Sequence, residues 1–235
     1  MPLIEARKVS KRFGDVQALR KLNLEVEEGH LYGFIGPNGA GKTTTIEILT
    51  GQIEPDEGSA EVMGIDPSED PVGVRRKVGI LPEREDPPSF LTPREYFEFV
   101  ADVRGVGNVD EKTAEWADRL KFRDRLDNLS KDLSRGEKQK VMISQAFLHE
   151  PDLVFIDEPL INLDPVVQER LKEYFRSYRE DGNTVFLSTH VMSLADEVCT
   201  HIGLLDDGQM LESGSKEELV EDGEKLEEAF LRLVG

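Results

Sequence analysis

The chain has 235 residues, of which 48 are Asp or Glu and 29 are Lys or Arg, so its formal net charge at pH 7 is −19. Its hydrophobic content of 38% is typical of a globular protein, and no apolar run approaches the ~20 residues that a membrane-spanning helix needs. A negative field of this size argues against binding nucleic acid through a basic face. The single cysteine, Cys199, excludes an intramolecular disulfide and a cysteine-based metal site. The N-terminus lacks a basic segment followed by an apolar stretch, which predicts a cytoplasmic protein.

The excess of carboxylates has two explanations that stay open. It provides a solubilising acidic surface, or it adapts the protein to a salty cytoplasm, where ions screen the self-repulsion. In either case an anionic ligand must be captured by local features of the fold.

Apolar segments and turn residues alternate along the chain, and their spacing predicts the secondary structure. Strands are predicted over residues 22–27, 31–35, 60–63, 78–81, 153–157, 185–188 and 201–205. Helices are predicted over residues 42–50, 93–104, 111–120, 135–149, 166–180 and 191–199. A hairpin turn is predicted at Asp207-Gly208, and Ser215 with Glu218 predicts a capping box at the start of a further helix.

The order of these elements predicts an α/β fold. Strands and helices alternate after residue 150, which is typical of a parallel sheet with helices on both faces. Between about residues 83 and 150 only helices are predicted, which indicates a helical subdomain inserted into the sheet domain. We therefore expect one domain over residues 1–235, in which residues 1–82 and 151–235 form the core.

A glycine-rich segment lies directly after the strand predicted at 31–35 and opens the next helix. It fits the pattern G-x-x-x-x-G-K-[ST] and reads Gly36-Pro37-Asn38-Gly39-Ala40-Gly41-Lys42-Thr43, followed by Thr44. The glycines let backbone N–H groups turn toward a phosphate chain, Lys42 reaches the terminal phosphates, and the Thr43 hydroxyl binds Mg²⁺. A glycine-rich turn without a ligand is the structural alternative, which the flanking strand and helix disfavour. The segment predicts a nucleoside triphosphate site.

Two carboxylates follow another apolar strand. Asp157 and Glu158 come directly after Leu153-Val154-Phe155-Ile156, and ligands of open α/β sheets bind at the carboxyl ends of strands. Asp157 is the candidate for holding the Mg²⁺ that Thr43 contacts, and Glu158 is the candidate for polarising an attacking water. A strand that runs into an acidic turn is the commoner explanation of such a segment alone, but its combination with the phosphate loop favours a site.

The segment Asp132-Leu133-Ser134-Arg135-Gly136-Glu137-Lys138-Gln139 resembles the signature of the ATP-binding-cassette (ABC) ATPases, whose common form is L-S-G-G-Q. By itself the segment is better explained as a capping box, in which Ser134 and Glu137 start a helix. In the family, the same helix N-terminus and serine point at a triphosphate held by a second subunit. The two explanations are therefore compatible.

The resemblance covers nearly the whole chain and implies roles for three further residues. Phe13 matches the aromatic residue that stacks on adenine, Asp164 the segment that communicates between subunits, and His190 the switch histidine that contacts the terminal phosphate. Each has a plainer explanation: an ordinary buried phenylalanine, an N-cap before Pro165, and a surface histidine at a strand end.

The resemblance also implies a fold and a complete set of site residues. The fold is that of a P-loop nucleotide hydrolase with a mostly parallel sheet, an N-terminal antiparallel β portion and an inserted helical subdomain. The implied ligands are ATP and Mg²⁺. The implied catalytic residues are Glu158, His190 and Lys42. The implied metal ligands are Thr43, Asp157 and Glu83. The implied nucleotide-binding residues are Phe13, Gly36, Pro37, Asn38, Gly39, Ala40, Gly41, Lys42, Thr43, Thr44, Ser134, Gly136 and Asp164.

Two parts of the sequence depart from the family pattern. Glu83 stands where the family usually has glutamine, and in the signature Arg135 and Glu137 replace the first glycine and the glutamine. Both departures resemble variants of the ABC-2 type exporter branch, which moves drugs, lipids or polymers outward.

The sequence thus predicts the ATP-hydrolysing subunit of an ABC transporter. We expect a head-to-tail dimer with a second ATPase subunit, and separate transmembrane permease subunits held by the loop of residues 83–94. This partner would place the chain on the inner face of the cell membrane. The alternative is a soluble family member with a role such as cofactor assembly or translation control. A GTPase or kinase is disfavoured, because no Asn-Lys-x-Asp segment occurs and the signature would be unexplained.

Overall fold

The computed structural model describes residues 2–84, 86–220 and 224–234, and for residues 233 and 234 it describes the backbone alone. Residues 1, 85, 221–223 and 235, which the predicted domain includes, lie outside the described residues, and residue 85 also belongs to the predicted partner loop. No helix within the described ranges is long and apolar enough to cross a membrane.

Strands and helices alternate along most of the chain. The strands are β1 (Ile4–Phe13), β2 (Val16–Val26), β3 (Leu31–Ile35), β4 (Glu57–Val62), β5 (Val78–Leu81), β6 (Leu153–Asp157), β7 (Thr184–Thr189), β8 (His201–Asp206) and β9 (Gln209–Ser215). The helices are α1 (Lys42–Leu49), α2 (Pro71–Lys77), α3 (Pro93–Arg104), α4 (Val109–Arg119), α5 (Arg135–Phe147), α6 (Pro165–Glu180), α7 (Met192–Val198), α8 (Lys216–Leu219) and α9 (Leu226–Val234). The predicted bounds are confirmed to the residue for β3, β5, β6 and α3.

The N-terminal part of the chain forms a three-stranded antiparallel sheet in the order β2-β1-β4. This is the antiparallel portion that the resemblance implied, although the sequence pattern predicted neither β1 nor the first half of β2. The reason is local irregularity. The register of β1 against β2 shifts between Ala6 and Val9, and Lys8 between them has a φ of +51°. Such a bulge interrupts the alternation by which a half-buried strand is identified.

The larger sheet has six strands in the order β5-β6-β7-β3-β8-β9. The first five are parallel, and β9 runs antiparallel to β8. The predicted hairpin turn is confirmed, because Asp207 and Gly208 join β8 to β9 with φ of +42° and +75°, as a type I′ turn requires. This strand order brings the carboxyl ends of β6, β7 and β3 side by side.

Two helices were not predicted from the sequence, α2 and α9. The start of α2 does carry a signal, because the Asp70 side chain accepts a 2.8 Å hydrogen bond from Gly73 N and Pro71 occupies the first turn. The predicted capping box of Ser215 and Glu218 is confirmed at the start of α8.

The core lies on both faces of the six-stranded sheet, because successive side chains of a strand point in opposite directions. On β3, Leu31 and Ile35 pack in one cluster with residues of α3–α7, whereas Tyr32 and Phe34 pack in another with α1 and the antiparallel sheet. The α/β fold class is therefore confirmed. Helices α3–α5 lie between β5 and β6 in the chain, and their separation as a subdomain stays a prediction.

Candidate active site

A cavity of about 460 Å³ lies in front of the carboxyl ends of β3, β6 and β7. It is lined by Val16, Ala18, Asn38, Gly39, Gly41, Lys42, Thr43, Thr44, Glu83, Arg84, Asp157, Glu158, Ile161 and His190. The structure thus brings most of the predicted phosphate loop together with both predicted carboxylates, Glu83 and the predicted switch histidine.

The phosphate loop requires glycine at particular positions. Gly39 and Gly41 have φ of +84° and +105°, a region that favours glycine. A Cβ on Gly41 would lie 2.6 Å from the carbonyl oxygen of Ala18, and a Cβ on Gly36 would lie 2.2 Å from that of Leu205. The loop is therefore packed closely against β2 and β8, and its backbone faces the cavity without side chains at these positions.

Lys42 is buried beneath this loop. Its Nζ donates hydrogen bonds to the carbonyl oxygens of Gly36 at 2.8 Å and of Pro37 at 3.1 Å. Burial lowers the pKa of Lys42, and the nearby carboxylates of Glu158 and Asp157 oppose that shift. The ammonium group is held at the base of the cavity, where it faces any phosphate bound by the loop.

Thr43 and Asp157 meet at the junction between the phosphate loop and β6. The Thr43 hydroxyl donates a 2.7 Å hydrogen bond to Asp157 Oδ2. Asp157 is 2% exposed, and burial raises its pKa, which the hydrogen bond from Thr43 opposes. A hydroxyl and a carboxylate, with the Glu83 carboxylate in the same cavity, are hard oxygen donors of the kind that Mg²⁺ prefers. The donor set therefore fits a magnesium ion.

Glu158 has an unusual backbone, and both oxygens of its side chain accept hydrogen bonds. Its φ is +50°, which is uncommon for a non-glycine residue and is found at functional sites. Thr189 Oγ1 donates a 2.9 Å hydrogen bond to Glu158 Oε2, while the backbone N–H and Nδ1 of His190 donate to Oε1 at 2.9 and 2.5 Å. The sequence predicted the meeting of Glu158 and His190 at one sheet edge but not the part played by Thr189.

Comparison with known proteins identifies the family. Residues 19–161 match the family model described as ABC transporter. The chain belongs to this family. It is 31% identical over 99% of its length to the probable multidrug ABC transporter ATP-binding protein YbhF of Escherichia coli, but spans 42% of that relative. It is 29% identical to the Nod factor export ATP-binding protein I of Cupriavidus pinatubonensis over 93% of this chain and 68% of that protein.

Solved structures agree with this assignment. The chain superposes on an ATP-binding subunit of an ABC transporter with a TM-score of 0.93 and 29% identity, covering 99% of this chain and all of the other. It shares its fold with a dimeric ATP-binding cassette, MJ0796, bound to ADP and phosphate, with a TM-score of 0.83 and 24% identity over 90% and 98% of the two chains. The predicted P-loop hydrolase fold is therefore confirmed.

The aromatic residue expected at the adenine of an ABC ATPase lies beside this cavity. Phe13 is 48% exposed, so the alternative of an ordinary buried phenylalanine is wrong. It pairs across the β1–β2 hairpin with Val16, which lines the cavity, and Lys11 Nζ lies 5.7 Å from the centroid of its ring. Its contact with adenine stays a prediction.

The signature of this ABC family member has the local structure that its sequence predicts. Ser134 caps α5 by accepting a 3.3 Å hydrogen bond from Glu137 N, and Glu137 Oε2 accepts one of 2.8 Å from Ser134 N. A Cβ on Gly136 would lie 2.6 Å from Asn162 O, so the signature packs on the segment before Asp164. None of Ser134, Gly136 and Asp164 lines the cavity of its own chain in the part that the structure describes.

Asp164 has the predicted cap position at the start of α6. Its side chain accepts a 3.1 Å hydrogen bond from Val167 N, and Pro165 occupies the first turn. Lys140 Nζ lies 3.6 Å from Asp164 Oδ2. Asp164 is therefore tied to both α5 and α6, and its role between subunits stays a prediction.

Proposed function

We propose that this chain is an ATP-hydrolysing subunit of an ABC transporter, in which ATP binding closes a head-to-tail pair of subunits and hydrolysis reopens it. The observation that carries the proposal is the arrangement of one cavity. Lys42 lies at its base, the Thr43–Asp157 pair lies at the end of β6, and Glu158 is held against His190 beside them. The groups proposed to bind phosphate, bind the metal and activate water would thus lie together at one sheet edge.

In this proposal the phosphate loop and Lys42 bind the triphosphate. Backbone N–H groups at the start of α1 face the phosphate oxygens, to which the helix N-terminus also contributes positive potential. The Lys42 ammonium, which now donates to two loop carbonyls, retains a third proton for a phosphate oxygen. Mg²⁺, held by Thr43 and Asp157 and, as we further propose, by Glu83, would supply charge that offsets the phosphates.

Glu158 is the proposed general base and His190 the proposed contact to the terminal phosphate. An ionised Glu158 accepts hydrogen bonds only, so Nδ1 of His190 carries a proton in the observed pair. The other ring nitrogen faces away from Glu158 and is the one available to a phosphate oxygen. Glu158 therefore positions the ring of His190, while its own second oxygen would face the water.

A second subunit would complete the site from across the cavity. Ser134 and Gly136 begin α5 at the surface of the chain and lie outside their own cavity, as expected for residues that act on the partner's ATP. The fold shared with a dimeric cassette supports this arrangement. Ser134 would then donate its hydroxyl to a phosphate oxygen of the partner's nucleotide, at a helix N-terminus that already favours anions.

The proposed membrane partner of this chain is a transmembrane permease subunit, which would hold the segment 83–94 and α3. Three large apolar side chains are exposed there, at 75% for Phe90, 58% for Phe99 and 69% for Val103. Phe99 and Val103 are four residues apart and share one face of α3. Such a surface fits an apolar protein partner, which would bring the chain to the inner face of the membrane.

The exporter branch is supported by the multidrug and Nod factor relatives and by the departures at Glu83 and Arg135.

Native purification distinguishes this proposal from a soluble role such as cofactor assembly or translation control. We expect the chain to copurify with a protein of several membrane spans, and the pair of changes Phe90→Ser and Phe99→Ser to weaken that association. The control is Leu231→Ser, which removes another exposed apolar side chain, 64% exposed on α9. A chain recovered without any membrane partner, or an association that Phe90→Ser and Phe99→Ser leave intact, would contradict the proposed permease contact.

A further inference from the structure

The end of β7 holds both the backbone and the side chain of Glu158. Glu158 N donates a 3.0 Å hydrogen bond to Ser188 O. Thr189 Oγ1 donates to Oε2, and His190 donates twice to Oε1. Glu158 has a left-handed backbone and so departs from regular strand geometry. Its side chain is therefore not oriented by β6, and the direction of its carboxylate depends on these contacts.

The direction of the Thr189 hydroxyl is fixed by a second hydrogen bond. Thr189 is fully buried, and its Oγ1 accepts a 3.0 Å hydrogen bond from Val191 N. A hydroxyl has a single proton to donate, and that proton is directed to Glu158 Oε2. A hydrogen bond to an ionised carboxylate is stronger than one between neutral groups.

The two oxygens of the Glu158 carboxylate are not equivalent. Oε1 accepts two hydrogen bonds from His190, which occupy both of its lone pairs. Within the part of the chain that the structure describes, Oε2 accepts only the hydrogen bond from Thr189, which leaves one lone pair for a proton from water. The geometry points to Thr189 as a positioning residue for hydrolysis, whose hydroxyl turns Oε2 of Glu158 toward the attacking water. This inference rests on the proposed function, because it requires Glu158 to act as the base.

Substitution of Thr189 tests the role of its hydroxyl. Thr189→Val keeps the shape but removes the donor, and we expect kcat to fall about tenfold or more, a barrier change of ~1.4 kcal/mol per tenfold. The KM for ATP and the dissociation constant of ATP should change less than about twofold, because Thr189 does not line the cavity proposed to hold the nucleotide. Thr189→Ser restores the hydroxyl, and its kcat should stay within about threefold of wild type.

The matched control is Thr184→Val at the other end of β7. Thr184 is also fully buried, and its Oγ1 accepts a 2.9 Å hydrogen bond from Gly29 N. This change removes a buried hydroxyl from the same strand away from the site, so kcat should not change. Crystal structures of Thr189→Val and Thr189→Ser supply a second readout, with the Glu158 carboxylate rotated in the first and unchanged in the second.

Three results would overturn the inference. They are a wild-type kcat for Thr189→Val, an equal loss in Thr189→Ser, and an unmoved Glu158 carboxylate in the Thr189→Val structure. If Thr189→Val does not fold, Thr189→Ala replaces it in the comparison with Thr189→Ser. Wild-type chain that fails to hydrolyse ATP would overturn the proposed function itself, whereas equal hydrolysis by wild type and Thr189→Val overturns only the role of Thr189.

Discussion

Glu137 and Arg125 are joined by a 2.7 Å hydrogen bond between Glu137 Oε1 and Arg125 Nε. Glu137 stands where the family has glutamine, and this contact, with its bond to Ser134 N, places an arginine and a backbone donor against its negative charge at the start of α5. The carboxylate of the other acidic departure, Glu83, is also paired with an arginine, because Arg84 Nε lies 3.3 Å from Glu83 Oε1. Each additional carboxylate thus has an arginine beside it.

This pairing predicts the effect of restoring the family residue at position 83. Glu83→Gln keeps an oxygen donor for the metal and removes a charge that Arg84 already offsets, so hydrolysis should stay within about tenfold of wild type, a barrier change of ~1.4 kcal/mol. Steady-state ATPase measurements check this. Glu137→Gln is the matched control, since glutamine also serves a capping box, and it should retain hydrolysis. Complete loss in Glu83→Gln alone would show a specific need for the Glu83 carboxylate.

The net charge of −19 predicts a stabilising effect of salt. Screening relieves repulsion among the excess carboxylates, so the melting temperature should rise from low to molar potassium chloride. The surface ion pairs that salt also weakens contribute little individually. An uncharged osmolyte at equal osmolality separates screening from solvent exclusion. A flat or falling melting temperature would contradict adaptation to a salty cytoplasm and leave the ATPase proposal unaffected.

His149 predicts loss of stability in mild acid. Burial, together with the Arg104 guanidinium at 2.8 Å from Nε2, lowers its pKa to about 4. The pKa of His149 in the folded state is below the ordinary value of 6.5. Its neutral form therefore contributes fully to the stability of the fold above pH 6.5, and this contribution is lost as the pH falls toward 4. Solvent screening at this partly exposed site limits the effect to roughly 1–2 kcal/mol.

Urea unfolding of wild type and His149→Gln between pH 7.5 and 4 measures this contribution. The glutamine oxygen can still accept from Arg104 but does not titrate. We expect the free energy of unfolding of wild type to fall more steeply than that of His149→Gln below pH 6.5. Parallel curves for the two proteins would show that the protonation of His149 is not linked to folding.

The parts of the fold that follow from local sequence were predicted closely. β3, the phosphate loop and β6 are continuous apolar or glycine-rich segments. Residues adjacent in the sequence are therefore enough to predict their structure. The meeting of Thr43 and Asp157 could be proposed because the phosphate loop follows the end of β3 and Asp157 ends β6, at one sheet edge. Thr189 could not be found in this way, since its partner Glu158 is set by the order of β6 and β7. β1 was missed because its bulge removes the alternating pattern.

Glu158 is proposed to activate water in a site that a second subunit closes. Glu158→Gln keeps the size of the side chain but cannot take a proton, and general base catalysis contributes about 10²–10⁴-fold. We therefore expect this variant to lose turnover, retain ATP binding and accumulate as an ATP-bound dimer. Lys42→Ala removes the cation opposite the phosphates and should weaken ATP binding and stay monomeric.

Light scattering of both variants, with and without Mg-ATP and alongside an ATPase measurement, tests both parts of this proposal. We expect Mg-ATP to double the mass of Glu158→Gln and to leave that of Lys42→Ala unchanged, and we expect Glu158→Gln not to hydrolyse it. Hydrolysis by Glu158→Gln at the wild-type rate would contradict the proposed base, and a variant that binds ATP but remains monomeric would contradict closure by a second subunit.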